Sequence, residues 1–377
     1  MIIGIDGNEA NIQNRVGVNW YAYEVIKNLH LLQGKTTQDH EFIVYLKEKP
    51  LPDMPKENDK WKYMVMPGRG LWILTKLMPY LLFTRYKPQV LFSPSHYTVP
   101  FAFIPRICSI MDLGYLNSSE QFRKCVFWQL KIWSAISIIV SKRIIAISNA
   151  TKDHIVRQYP LASNKVDVTL LGYDKSKFNI AIPLNDVRRI REKYHIVDDY
   201  VVMLSTLKPN KNVEGVLRAF HKYLEKNEGQ KNIQLVIAGK RGWMFNEIFS
   251  LVTELKMEEK VIFTDFIDES DKPALMKGAK LLISPSFWEG FGLHVLESMA
   301  CGTPVVVSSV GSLPEVVGSA GIVVDPFNTD SIAHGLEKVL NVSEKSYNKI
   351  VENCLAQAEK FSWEKTARDT LKVIESV

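Results

Sequence analysis

Two carboxylates, Glu289 and Glu297, stand with seven residues between them around the turn Glu289-Gly290-Phe291-Gly292-Leu293, inside a run that reads as strand, glycine-rich turn, helix and next strand. Gly290 and Gly292 let the backbone approach a ligand closely. The free N–H groups of residues 291–295, at the start of the new helix, can hold a phosphate. Glu289 precedes that helix and Glu297 lies more than one turn inside it, so the pair contacts different parts of a long ligand and forms no close catalytic dyad. Ionised carboxylates accept hydrogen bonds from hydroxyls. A diphosphate on the amides, with Glu297 at ribose hydroxyls and Glu289 at hexose hydroxyls, describes a nucleotide sugar bound end to end. The plain structural alternative is a strand-turn-helix with surface glutamates.

Elements must exist to position that turn. Short apolar runs rich in β-branched residues recur at 2–6, 41–46, 89–93, 106–110 and 143–148, separated by longer helix-like segments. This is the rhythm of a parallel α/β sheet. After a polar, Pro-bearing stretch at 172–186 a second series runs through 200–205, 233–238, 260–263, 279–284, 304–308 and 321–324. Two doubly wound halves of about six strands each are expected, with loops at the strands' carboxyl ends lining a cleft. The boundaries read as 1–180, 181–360 and a final helix over 361–377, which Phe361 and Trp363 could anchor.

The 377 residues are 46% apolar and 23% charged, which excludes disordered and fibrous classes. Residues 1–170 carry 21 Lys and Arg against 13 Asp and Glu, and the remainder 26 against 28, so the halves are +8 and −2. The basic first half suggests contact with something anionic, and its Trp- and Phe-rich segments make a membrane surface as plausible as a nucleic acid; the partner expected here is an anionic membrane surface and no nucleic acid. Residues 71–87 mix apolar and basic residues in the manner of an interfacial helix, or else form core helices with a solvated edge, the more common use of such a stripe in an α/β protein. Residues 88–110 and 122–147 are greasy but interrupted by Pro, Lys and Arg, so neither offers about 20 continuous apolar residues for a membrane span. Asp6 cuts the apolar run at the amino terminus, which therefore reads as a buried strand and not a signal peptide. Cys108, Cys125, Cys301 and Cys354 lie far apart without a C-x-x-C pair, so neither a zinc framework nor a disulfide scaffold is indicated. The expected location is cytoplasmic, with peripheral contact to the inner membrane face.

The run around Glu289 and Glu297 resembles the Glu-x7-Glu signature of the family 4 glycosyltransferases, which have the GT-B fold. Other segments follow in family order. Arg15-Val16-Gly17-Val18-Asn19 is similar to the first glycine loop, in which Gly17 approaches the donor diphosphate; residues 144–152 resemble the strand-and-serine segment, with Ser148 as a helix cap. Leu204-Ser205-Thr206-Leu207-Lys208-Pro209-Asn210-Lys211-Asn212 resembles the loop of the mannosyltransferase-like branch, and places Lys211 on the leaving diphosphate. There Asn210 stands where the family usually writes arginine, and Ser205 where it writes glycine. Lys208, Lys240 and Arg241 are the cations available to replace that arginine. Residues 309–315 match the segment after the signature helix, with Glu315 in a structural role.

The largest departure is Cys108-Ser109-Ile110-Met111-Asp112-Leu113, where the family reads His-Asp-Leu: Met111 occupies the histidine's place and cannot transfer a proton. His96 is the nearest histidine in chain order, and Met111, Asp112 and His96 are the candidate contacts to sugar or acceptor. The resemblance implies a retaining transfer of a hexose, mannose favoured, from GDP-mannose or a UDP-sugar to a hydroxyl of a saccharide or polyprenyl-linked saccharide in cell-surface polysaccharide synthesis. Glu289 and Lys211 carry the chemistry, Gly290, Phe291, Gly292, Leu293 and Glu297 complete the donor site, and neither metal nor cofactor is called for. A donor-binding pseudoenzyme or partner subunit, and a GT-B sugar-nucleotide epimerase, are the alternatives.

Overall fold

The structure, a computed structural model, describes residues 1–35, 39–116, 124–227, 232–240 and 245–377. The chain forms two compact units, Met1–Gly172 with Ser362–Val377, and Tyr173–Phe361. In the first, β1 (Ile2–Asp6), β2 (Glu41–Leu46), β3 (Trp61–Val65), β4 (Val90–Ser93), β5 (Arg106–Ile110), β6 (Arg143–Ala146) and β7 (Val166–Val168) make a parallel sheet ordered β3-β2-β1-β4-β5-β6-β7. Its helices are α1 (Val18–Leu32), α2 (Met78–Phe83), α3 (Lys124–Val140) and α4 (Asn149–Gln158). Ser148 caps α4, its hydroxyl accepting from the Thr151 amide at 3.0 Å.

The second unit repeats the plan with β8 (Asp199–Leu204), β9 (Ile233–Ala238), β10 (Val261–Asp265), β11 (Leu281–Ser284), β12 (Val305–Ser308) and β13 (Ile322–Val324), ordered β10-β9-β8-β11-β12-β13. Around them lie α5 (Leu184–Lys193), α6 (Val213–Lys226), α7 (Phe245–Glu254), α8 (Lys272–Lys277), α9 (Leu293–Ala300), α10 (Leu313–Val317), α11 (Thr329–Leu340) and α12 (Glu344–Ala358). Strands β4, β9, β11 and β12 are buried along their whole length, as befits parallel strands covered on both faces. Helix α6 turns Val213, Val216, Leu217, Phe220 and Tyr223 inward, a stripe of helical period. The chain then returns to the first unit as α13 (Trp363–Glu375), which packs on α1. Thr366 donates to the Leu170 carbonyl at 2.7 Å, and a β-carbon on Gly172 would fall 2.0 Å from the Trp363 amide nitrogen.

In both units the strand order reverses beside the first strand, between β1 and β4 and between β8 and β11, where crevices open at the carboxyl ends of a doubly wound sheet. Of the two readings of residues 71–87, the structure matches core helices with a solvated edge: Trp72, Leu77 and Leu81 are buried in a core with Ile43, Tyr45 and Leu91, while Leu71 and Phe83 stay exposed. Among the described residues no helix is long and apolar enough to cross a membrane. All four cysteines are free thiols.

Candidate active site

At the switch point of the second unit, the loop after β8 and the loop after β11 are stitched together. The Phe287 amide donates to the Asn210 carbonyl at 2.9 Å, and the side-chain amide of Asn212 donates to the carbonyls of Pro285 (3.1 Å) and Pro326 (2.7 Å). Asn212 is buried and left-handed, at φ 59°, so one residue ties three loops and starts α6. These ties bring Lys211 to Glu289, 78 positions away, with Nζ donating to Oε1 at 2.5 Å. Ser286 donates to the same oxygen at 2.9 Å, while the Ser312 hydroxyl and amide hold the Glu289 carbonyl at 2.9 and 3.2 Å.

Burial disfavours the ionised Glu289 carboxyl, but the Lys211 charge, the nearby His294 and hydrogen bonds from Lys211 and Ser286 outweigh it, so its pKa is lowered. It is an acceptor for hydroxyls and has no proton to give at neutral pH. His294, in the first turn of α9, shares a 2.9 Å hydrogen bond with Ser284, and burial pushes its imidazole down to about 4. The positive charge at this spot therefore comes from Lys211.

Helix α9 opens on Gly292 in a left-handed conformation, φ 94°, with Phe291 buried beneath it. The first amides of a helix have no partner inside it. Of the residues expected to offer amides, Val295 already donates to the Gly292 carbonyl at 3.0 Å, which leaves the cradle to the residues before it. Ser205 Oγ and Asn210 Oδ1, at the two places where the loop departs from the family text, are buried without a hydrogen-bond partner. Buried polar atoms of this kind are costly unless something else satisfies them. Lys208 is exposed and Lys240 lies 4.8 Å from the Phe266 ring centroid; Arg241 falls outside the described residues.

In the first unit, Gly17 sits at φ 47° before α1, with open space where a side chain would be. Its neighbour Arg15 is committed to structure: it is buried, pairs with Asp53, donates to the Ala10 carbonyl and lies over the Tyr23 ring at 3.8 Å. Met111 is buried, and its carbonyl accepts from Thr151 at 3.1 Å. Asp112 caps its own loop through the Gly114 amide at 2.7 Å. Burial lowers the pKa of both His96 and His154, and the Asp112 charge opposes that shift at each. Among the described residues no group of three or more His, Cys, Asp and Glu is placed to hold a metal ion.

Residues 186–356 match the family model described as glycosyl transferases group 1. The chain is 30% identical over 313 residues to O-antigen chain mannosyltransferase B of Escherichia coli, covering 82% of this chain and 77% of that one. The chain belongs to the group 1 glycosyl transferases. A serotype-specific mannosyltransferase, WbdA of Escherichia coli, is 30% identical over 226 residues, 59% of this chain and 27% of that longer protein. Among solved structures, HepE of Anabaena in complex with UDP and glucose superposes with a TM-score of 0.73 at 18% identity, over 100% of this chain and 99% of that one. WaaG, a glycosyltransferase involved in lipopolysaccharide biosynthesis, gives 0.68 at 15% identity over 99% of each chain. These neighbours share the GT-B fold of two Rossmann-like parallel-sheet domains.

In this glycosyl transferase, Glu297 is half-buried on α9 and its carboxyl is pushed up to about 8 by burial, with Lys272 opposing. The folded chain therefore holds a proton at neutral pH that the unfolded chain, with an ordinary value near 4.5, has released. With the folded pKa raised, this stabilising contribution is complete below about pH 4.5 and is lost as pH rises towards 8. Glu297→Gln cannot ionise and is expected to flatten that decline, gaining about 1–2 kcal/mol at pH 8 after allowance for solvent. Thermal unfolding of both proteins from pH 5 to pH 9 checks this, and identical pH slopes would refute it. Ser286, Ser312, His294 and Asn212 are site residues that the sequence did not reveal. Only an Asn directly before a helix hinted at one of them, through its tolerance of positive φ.

Proposed function

We propose that this glycosyltransferase moves a hexose, mannose favoured, with retention of configuration from a nucleoside diphosphate sugar to a hydroxyl of a saccharide or lipid-linked saccharide in cell-surface polysaccharide or lipopolysaccharide synthesis. The observation that carries the reading is the Lys211–Glu289 pair beside the first amides of α9, at the switch point of its sheet. Lys211 and the helix amides take the charge that grows on the leaving diphosphate. The anomeric carbon–oxygen bond breaks, an acceptor oxygen forms the new bond on the same face, and the departing phosphate oxygen takes the acceptor's proton. Glu289, kept ionised, orients hexose hydroxyls, and Glu297, protonated in the folded chain at neutral pH, meets the ribose hydroxyls through its remaining acceptor oxygen. No covalent sugar–enzyme intermediate is invoked, because among the described residues the groups acting on Glu289 are Lys211, His294 and Ser286, with no second carboxylate of the kind retaining glycosidases use.

Positive charge from Lys211 and backbone amides makes a divalent metal unnecessary in this scheme. Gly17, Met111, Asp112 and His96 are assigned to the first unit's share of the reaction, towards phosphate, sugar and acceptor. The relatives, an O-antigen chain mannosyltransferase and a serotype-specific mannosyltransferase, support mannose and a cell-surface product. A donor-binding protein without transferase activity is the second reading, favoured by the buried thioether of Met111 where the family carries an imidazole.

A thermal-shift panel of GDP, UDP, ADP and their hexose conjugates tests the reading. One nucleobase is expected to raise the melting temperature, its sugar conjugate more than the bare diphosphate, by the roughly 2.7 kcal/mol that saturation at a hundred times Kd supplies. If no nucleotide shifts the transition, the donor assignment is wrong. Binding without product formation across acceptors would select the second reading.

A further inference from the structure

The Lys211–Glu289 pair carries no net charge, yet the ligand proposed for it is multiply anionic. Lys211 Nζ donates to Glu289 Oε1 at 2.5 Å, and Ser286 adds a hydrogen bond to the same oxygen at 2.9 Å, so the lysine's charge is already answered inside the protein. The first amides of α9 supply partial charge only. Ser205 and Asn210, in the loop that carries Lys211, are neutral. A group able to gain a positive charge as the anion arrives would complete the site.

His294 is such a group. It is the second residue of α9, and the Cα–Cβ bond of a helical residue tilts towards the amino end, so its half-buried ring lies at the end of the helix that offers the amides. Nε2 shares a 2.9 Å hydrogen bond with the Ser284 hydroxyl, and Nδ1 has no partner among the described residues. With the hydroxyl donating, the single proton of the neutral ring sits on Nδ1. The charges that face the ring come from three elements: Glu289 in the turn after β11, Lys211 in the loop after β8, and Lys272 at the start of α8, which is paired with Glu269. Burial and the two lysines keep the ring neutral against the pull of Glu289. A diphosphate beside Lys211 cancels the lysine's repulsion and adds an attraction of its own, and both favour the imidazolium.

We infer that His294 is a further residue of the nucleotide-sugar site: its Nδ1–H donates to a diphosphate oxygen beside Lys211, and the ring takes up a proton from solvent as that anion binds. The inference rests on the nucleotide-sugar reading above. As the bond to the sugar breaks, imidazolium and lysine share the charge growing on the departing oxygens. Uptake occurs above about pH 4, where the free ring is neutral, and ceases where the bound ring no longer holds its proton. Calorimetric titration with GDP-mannose and UDP-glucose at pH 6, in buffers of different ionisation enthalpy, counts the protons. The diphosphate of a sugar conjugate has no ionisation of its own near neutrality. Glu289 and Glu297 are present in wild type and in His294→Gln alike, so the difference between the two proteins reports the ring. Wild type is expected to take up more protons than the variant, and to bind about tenfold more tightly at pH 6 but within about threefold at pH 8, where the ring is neutral in both states. The ring signals of His294 in the wild type, followed by NMR with and without ligand, give the same answer if the variant fails to fold: the titration should move upward on binding. Equal proton uptake in the two proteins, or a His294 titration unmoved by a ligand that binds, would overturn the inference and leave the nucleotide-sugar site standing. Failure of both conjugates to bind would remove that site and this role with it.

Discussion

Replacing Lys211 by alanine is expected to lower glycosyl transfer by about 10²- to 10³-fold, the cost of removing one preorganised group that stabilises charge in the transition state. Stability should fall as well, because Glu289 is only 12% exposed and would lose the cation that offsets its burial. An uncompensated group of this kind costs about 1–3 kcal/mol. The two losses separate in a second variant. With Glu289→Gln added to Lys211→Ala, no buried charge remains, so urea unfolding should recover most of the lost stability while transfer stays low. The pH dependence changes sign with the partner. In the wild type the lowered pKa of Glu289 gives a contribution present above its unfolded value and lost as pH falls through the folded one. In Lys211→Ala burial dominates, the carboxyl rises above its ordinary value, and mild acid should stabilise. Unchanged rates and unchanged unfolding in Lys211→Ala would show that the pair is a surface contact with no part in donor binding.

Gly239→Ala should be the most damaging single methyl group in the second unit. Gly239 has φ 153°, and a β-carbon there would lie 2.0 Å from the Ser205 carbonyl oxygen and 2.5 Å from its carbon. Both neighbours are backbone at the end of β8, tied by the Ser205 amide to Ala238 and the Leu207 amide to Lys240, each at 3.0 Å. Nothing there can turn aside as a side chain would. The overlap must be relieved by moving the loop that carries Lys208 to Asn212, at a cost of about 3 kcal/mol or more. Nucleotide binding is expected to be lost even at temperatures where circular dichroism shows the variant folded. Gly17→Ala is the contrast, because its β-carbon meets nothing within 4 Å and the left-handed conformation alone costs about 1–2 kcal/mol. If the two variants melted alike, the close approach at Gly239 would be of no consequence.

The strands at 2–6, 41–46, 106–110 and 233–238 were legible because a parallel strand covered on both faces must be apolar throughout, whatever lies over it. Strands β3 and β7 were not read. They lie at the two edges of the first sheet, where Trp61-Lys62-Tyr63-Met64-Val65 mixes exposed and buried positions and Val166-Asp167-Val168 is three residues long. The same limit applies to helices. Residues 71–87 and α3 both read as apolar segments with basic residues, yet Trp72, Leu77 and Leu81 went into a core while Trp128, Ile132 and Ile139 stayed outside. A hydrophobic pattern reports that a face is apolar and is silent on what covers it.

The candidate site divides along the same line. The glycine turn and the spacing of Glu289 and Glu297 are local matters, set by residue type and by backbone freedom at Gly292, and are legible in the chain itself; Lys211 was singled out only by its match to the family's loop. The Lys211–Glu289 pair, the Asn212 tie across three loops, the raised pKa of Glu297 and the neutral His294 facing Lys211 and Glu289 were decided only by the tertiary structure. Each depends on groups tens of residues apart being removed from water together, and the desolvation and pairing energies that follow are properties of distances no linear spacing contains.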